Sequence, residues 1–306
     1  MAFGAWFGLQ LFRQRGRLLI RLDALEAGRV RVALTADQSR GLDIAGKVLK
    51  LSPKPFVPTL EPIAGGVWLM RGGFPKRLMN VYLLADEGGV TIFDAGIRDM
   101  TEPLRVVAER MGGLRRIVLG HSHADHRGAA PGLGAPVFCH PDEVADAEGD
   151  GGRRYFDLEK LESPVMRRAY PFLLDRWDGG PVSVAGTVTE GDQVAGFEVK
   201  HFPGHAPGLI GLWREDDRLV LASDTLYTLD PDSALAPFGP PRLTHSAFTL
   251  APGQAAESLR KLAELEPRTV WAGHADPVTG DVRRQLERAA EPAGVAPGRR
   301  VRFPRL

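Results

Sequence analysis

Cysteine is almost absent: Cys139 stands alone among 306 residues. No intramolecular disulfide can form, so nothing in the cysteine usage points to an oxidising compartment. Cys139 itself reads as a small buried hydrophobe on a strand. A surplus of one charge is missing too. Lys plus Arg number 39 against 38 Asp plus Glu, a formal net charge of +1. Binding to a phosphate backbone needs a basic surplus on one face, so nucleic acid has no electrostatic case as the main partner. The apolar stretch Met1 to Phe12 falls short of the roughly 20 residues that a transmembrane helix requires. Its positive charges (Arg13, Arg15, Arg17 and Arg21) follow it, the reverse of a secretory signal. Residues 1–22 therefore suit a weak membrane-surface contact or, more simply, packing on the protein or on a second subunit of a homodimer. A cytoplasmic location is expected. No internal repeat and no low-complexity tract is visible.

What is present is ordinary for a soluble globular protein: 43% hydrophobic and 25% charged residues. The length suits one α/β domain with an appendage. The proline cluster Ser52-Pro53-Lys54-Pro55 with Val57-Pro58 marks a boundary. Beyond it, Asn80–Leu84 and Val90–Phe93 flank Gly88-Gly89 as a hairpin. Thr101–Met111 reads as a helix that starts on Thr101 and stops at Gly112-Gly113. Arg116–Gly120 and Pro136–Cys139 are short strands. Residues 141–180 look irregular, and their aromatics are either a substrate cover or local core. Strand patterns resume at Gly196–Phe202 and in a hairpin over 209–222. A helix over Ala255–Leu265 and a strand over Thr269–Ala272 follow. Strands with helices between them imply sheets faced by helices.

Three of the eight histidines fall in His121-Ser122-His123-Ala124-Asp125-His126. Bulky titratable residues do not cluster in a core without a partner. A metal is the usual one, because imidazole nitrogen and carboxylate oxygen are good zinc ligands. On an extended segment His121 and His123 share a face. If the chain then bends into a helix, Asp125 and His126 turn toward a second centre. Further ligand candidates sit just after strands: His205, Asp224 and His274. His201 and His140 read as structural. His245 reads as a solvated loop residue, with a substrate-facing role as the alternative.

The run from His121 to His126 resembles the H-x-H-x-D-H motif of the metallo-β-lactamase superfamily. Pro203-Gly204-His205, Ser223-Asp224-Thr225 and Gly273-His274 resemble its later motifs, and Asp94-Ala95-Gly96 its supporting turn. The resemblance covers about residues 60–280. It implies an αββα sandwich over 59–285, an N-terminal extension over 1–58 and a tail over 286–306. It implies that His121, His123 and His205 hold one metal, and that Asp125, His126 and His274 hold a second, with Asp224 bridging. Two zinc ions are expected, with iron, manganese or cobalt as substitutes.

The implied activity is hydrolysis of an ester, lactone, thioester or amide of a small molecule by a hydroxide bridging the metals. Asp125 would take or relay its proton. Tyr227 matches a tyrosine that points at the substrate carbonyl in N-acyl homoserine lactone lactonases. A packing role for it stays open, as does the choice between lactonase-like and glyoxalase-II-like branches. The residues after Val282 leave little room for a glutathione-binding helical domain. An iron-dependent persulfide dioxygenase and a phosphodiesterase or nuclease are the competing readings.

Overall fold

The computed structural model describes residues 60–73, 78–233 and 238–291. The proposed extension (1–58), with its membrane or subunit contact, lies outside them, as does the tail beyond residue 291. Among the described residues no helix is long and apolar enough to cross a membrane.

Two sheets form the centre. The first has the order β1 (Leu60–Ala64), β2 (Val67–Gly72), β3 (Met79–Asp86), β4 (Gly89–Phe93), β5 (Leu114–Val118), β6 (Val137–Cys139) and β7 (Val184–Thr187). It is antiparallel through β4 and parallel from β4 to β7. The second comprises β8 (Gln193–Val194), β9 (Phe197–His201), β10 (Ile210–Arg214), β11 (Leu219–Ser223) and β14 (Thr269–Ala272), in the order β14-β11-β10-β9-β8. A separate ribbon pairs β12 (Tyr227–Leu229) with β13 (Phe238–Arg242).

Strand alternation divides the core into layers. On β3, Tyr82 and Leu84 face the second sheet's Phe197, Ile210, Leu212 and Leu221. Val81 and Leu83 face the opposite way, with Met100, Leu104 and Val107. On β11, Val220 and Ala222 pack with Leu259 and Leu262 of the helix Pro252–Glu264 and with Leu286 of the helix Val282–Ala289. Helices thus cover both outer faces, which makes an αββα sandwich. Strands buried on both sides explain the apolar runs of the sequence.

The hairpin over residues 80–93 is present as β3 and β4. The helix after it runs Thr101–Arg110, but Thr101 does not cap it. A 3-10 turn over Arg98–Met100 leads straight in, and the Thr101 hydroxyl donates back to Arg98 O at 2.7 Å. The segment 141–180 is less irregular than its sequence suggests. Pro164–Trp177 is a helix whose cap, Ser163, accepts from Met166 N. Pro171 inside it hides the pattern, since proline lacks the N–H that an interior turn uses. The helix Val282–Ala289 crosses the boundary drawn at residue 285, with Leu286 and Ala290 buried. Cys139 is buried and free on β6, and burial pushes its thiol up to about 12.

Candidate metal centre

Five strands end at one place. Asp94 follows β4, His121 lies just past β5, His205 past β9, Asp224 follows β11 and His274 lies just past β14. Between β5 and the one-turn helix Ala124–Arg127 the chain bends, with His123 extended at φ −60°, ψ 156° before the helix. That bend brings His121 and His123 to His205 and brings Asp125 and His126 to His274, with the His121 and His126 rings 4.0 Å apart.

The structure brings all seven proposed ligands together. One donor atom from each of His121, His123 and His205 lies within 4.8 Å of the others, and so do donors from Asp125, His126 and His274. Asp224 stands between the two groups. Its Oδ2 is 3.3 Å from Nε2 of both His126 and His274, 3.5 Å from His205 Nε2 and 3.9 Å from His121 Nε2. His121 Nε2, His126 Nε2 and Asp224 Oδ1 are buried without a hydrogen-bond partner among the described residues. A buried polar atom left unpaired is costly, and here three such atoms belong to two histidines and the carboxylate shared between the groups. Donors of this type, converging at this spacing, fit divalent cations.

The backbone around the centre is close and strained. Asp94, Ser223 and Ala275 are not glycine, yet have φ of +56°, +45° and +57°. Each such residue costs on the order of 1–3 kcal/mol. Asp94 offsets this with three hydrogen bonds: Gly120 N–H to Oδ1 at 2.7 Å, and Ser223 Oγ and His126 Nδ1 to Oδ2 at 2.8 and 3.0 Å. Hydrogen bonds contribute on the order of 1 kcal/mol each, so the three are comparable with the strain at Asp94 itself. At Gly273 an added Cβ would overlap Asp224 Oδ1 and the His126 ring, so only glycine lets β14 pass the centre.

Charge differs between the two groups. Burial, then neighbouring imidazoles, hold His121 and His123 well below the usual histidine range. Burial brings His205 down to about 4. These three are neutral, the form that offers a lone pair to a metal. Burial, the largest single influence, works against the charged form at His126 and His274 also, but the carboxylates around them, Asp224 foremost with Asp94 and Asp125 at His126 and Asp125 at His274, together raise both. Asp224 is in turn held well below the carboxylate range by those two histidines, against burial.

Tyr227 is buried, with its ring 5.8 Å from that of His205 and 5.7 Å from that of His274, so it contacts one histidine of each group. Burial, then Asp224 and Asp125, push its hydroxyl well above the usual phenol value. Of the 141–180 aromatics, Phe156 meets His123 edge-on at 4.7 Å and continues through Phe248 to Tyr170. It therefore belongs both to a local cluster and to the wall of the centre.

His245 is only half-buried, but it is paired instead of being a free loop residue. Its Nε2 lies 3.2 Å from Asp232, and its Nδ1 accepts from Ala247 N. His140 and His201 do lie near Asp142 in a further potential group, apart from the centre. Their rings stack at 4.1 Å and 12°, so their in-plane lone pairs run side by side and do not converge. His201 Nε2 instead meets Pro207 O, and His140 Nδ1 caps Asp142 N.

Sequence reasoning missed the frame behind the ligands. Asn80 and Tyr82 on β3 reach across to the second sheet. Asn80 Nδ2 donates to Ala272 O and Ala275 O, and Tyr82 Oη donates to Ala272 O at 2.5 Å, bracketing His274. Glu143 accepts from Ser122 N and Gly208 N, both at 2.9 Å, and so joins the loops that carry His121, His123 and His205. A polar residue within a strand otherwise read as apolar, Asn80, was the one available signal.

A family model of the metallo-beta-lactamase superfamily matches residues 76–274. The chain is 27% identical over 252 residues to the probable metallo-hydrolase YflN of Bacillus subtilis (strain 168), covering 74% of this chain and 92% of that one. It is 28% identical over 150 residues to the hydroxyacylglutathione hydrolase GloC of Haemophilus influenzae, covering 46% of this chain and 63% of that one. The crystal structure of the metallo-beta-lactamase family protein TTHA1429 from Thermus thermophilus superposes with a TM-score of 0.50 at 26% identity, over 73% of this chain and 77% of that one. With the sandwich, the clustered donors and this match over most of its length, the chain belongs to the metallo-β-lactamase superfamily and is a metal-dependent hydrolase.

Proposed function

We propose that this enzyme holds two zinc ions and hydrolyses a lactone or ester of a small molecule, with thioesters and amides as chemically adjacent substrates. The observation that carries the two-ion reading is the position of Asp224 Oδ2, within 3.3–3.9 Å of four histidine nitrogens drawn from both groups. One carboxylate so placed serves two cations at once. His121, His123 and His205 would hold the first ion, and Asp125, His126 and His274 the second. A divalent pair supplies Lewis acidity, acidifying water and polarising a carbonyl oxygen.

The protein's own residues support the rest. Asp125 is the least buried of the seven, at 16% side-chain exposure, with Oδ2 3.5 Å from His274 Nε2. It is the carboxylate placed to take a proton from the attacking water and pass it outward. Tyr227 keeps its proton at neutral pH because burial and two nearby carboxylates oppose the phenolate. A protonated phenol over both histidine groups is a donor for the oxygen that gains charge when a carbonyl is attacked. This favours a lactone or ester. GloC is named for hydroxyacylglutathione, but the match spans only 63% of it, so its substrate does not carry over. Phe156, Phe248 and Tyr170 give the wall an apolar character that suits an uncharged acyl group.

The test is metal analysis of the purified chain, followed by a panel of lactones, aryl esters, thioesters and phosphodiesters. Two zinc per chain with lactone or ester turnover is expected. One iron per chain with oxygen uptake, or turnover of phosphodiesters alone, would replace this reading.

A further inference from the structure

We propose, on the two-metal reading, that Tyr155 is a positioning residue for the first ion: its hydroxyl accepts a hydrogen bond from His123 Nε2–H and so fixes Nδ1 as the nitrogen facing the metal. The Tyr155 oxygen lies 2.8 Å from His123 Nε2, while His123 Nδ1 lies 3.1 Å from His205 Nε2, inside the first group. A neutral imidazole carries one N–H and one lone pair. An oxygen acceptor at Nε2 therefore leaves the lone pair on Nδ1, pointing where His121 and His205 converge. Partners of this kind hold the ring orientation of metal-binding histidines.

The segment carrying Tyr155 is built to deliver that oxygen. Arg127, next to His126 and fully buried, donates to Asp146 O, Ala147 O and Gly149 O at 2.7, 2.9 and 3.0 Å, and to Asp178. Asp150 then accepts from Gly152 N and Arg154 N, both at 3.0 Å. Arg154 pairs with the buried Asp146, and its guanidinium lies 5.7 Å from the centre of the Tyr155 ring. Gly152 has φ +73°, and a Cβ there would overlap the Tyr155 ring. The segment thus hangs from one end of the metal motif by Arg127 and returns to it at His123 through Tyr155. Phe156 packs edge-on against the His123 ring, and the Tyr155 ring lies 5.7 Å from it as well. Phenylalanine at 155 would keep that ring contact and remove the hydroxyl alone.

The experiment is a zinc titration of the metal-free full chain against a chromophoric chelator, for wild type and Y155F. It is repeated in an H274A background, where only the first group stays complete. Y155F is expected to weaken the first site about 10- to 100-fold, the range for such partners, and to leave the second far less affected. In the zinc-loaded protein, the hydrogen-bonded His123 Nε2–H proton resonance should shift or vanish. Unchanged affinity at the first site, or equal loss at both, overturns the inference. So does a metal-free variant that no longer melts cooperatively near wild type, because Tyr155 would then be a structural prop. A wild-type chain that takes up fewer than two zinc ions defeats the two-metal reading instead, and the H274A comparison still decides the role of Tyr155.

Discussion

The two ligand groups are backed by different chemistry. Behind His121, His123 and His205 stand three hydroxyls: Ser223 Oγ at 3.1 Å, Tyr155 Oη at 2.8 Å and Thr249 Oγ1 at 3.3 Å. Behind His126 stands the buried carboxylate of Asp94 at 3.0 Å, and His274 Nδ1 has no partner among the described residues. The first group is neutral throughout and presents lone pairs alone. In the second, neighbouring carboxylates, Asp224 first, hold His126 and His274 above the usual histidine range, so their protons must leave as a cation arrives. A carboxylate behind a histidine raises ligand basicity more than a hydroxyl does. The second group therefore gains strength from charge, and the first from the precision with which neutral rings are aimed.

Removing the residue common to both groups should have the largest effect. D224A is expected to lower turnover by roughly 1,000-fold or more and bring bound zinc below two per chain. Mass-spectrometric metal counting with steady-state kinetics checks this, and retained activity would defeat the shared-carboxylate assignment. D94N comes next. Its loss should weaken zinc at the second group about 10- to 100-fold, seen by chelator competition. Asp94 also touches Ser223 behind His121, so an equal loss at both groups would erase the contrast drawn here. Y227F should lower kcat about 10-fold with zinc content unchanged, as for a single lost donor to the developing oxyanion. An unchanged rate returns Tyr227 to a packing role.

The pH dependence that E143Q removes should be the smallest effect and sharpen the account of the first group. Burial raises the Glu143 carboxyl from its ordinary 4.5 to about 7 in the fold. The folded state therefore binds the proton more tightly than the unfolded chain. The stability this contributes is present below pH 4.5 and is lost as pH rises through about 7. The Tm of the metal-free wild type should fall across that window by a few degrees relative to E143Q, which cannot ionise. Parallel Tm curves for the two proteins would show that Glu143 does not titrate there.

The seven ligand candidates were legible because each lies within a few residues of a strand end and most sit in short, dense motifs. Ser223 falls in one of those motifs, but its contact with His121 was not read from the sequence. Neither were those of Tyr155 and Thr249: they lie 32 and 44 residues from the histidines they touch, and neither residue type stands out in a loop. That sheets are faced by helices followed from the order of the elements and their apolar runs; the αββα layering was implied by the family resemblance. The helix Pro164–Trp177 escaped because its start signal, Ser163-Pro164, was outweighed by an internal proline. Asn80 and Tyr82 escaped because the pattern that revealed β3 does not say which strand a polar side chain crosses to meet.

The centre straddles the two sheets, and this gives its assembly a direction in time. A chain growing from its N-terminus exposes His121, His123, Asp125 and His126 first, then His205, then Asp224, and His274 last. The first trio is complete in the nascent chain once His205 has emerged, while the second must wait for β14, whose end is bracketed by Asn80 and Tyr82 from the opposite sheet. Each group takes ligands from both sheets, so the first needs β9 set against β5, and the second needs β14 as well.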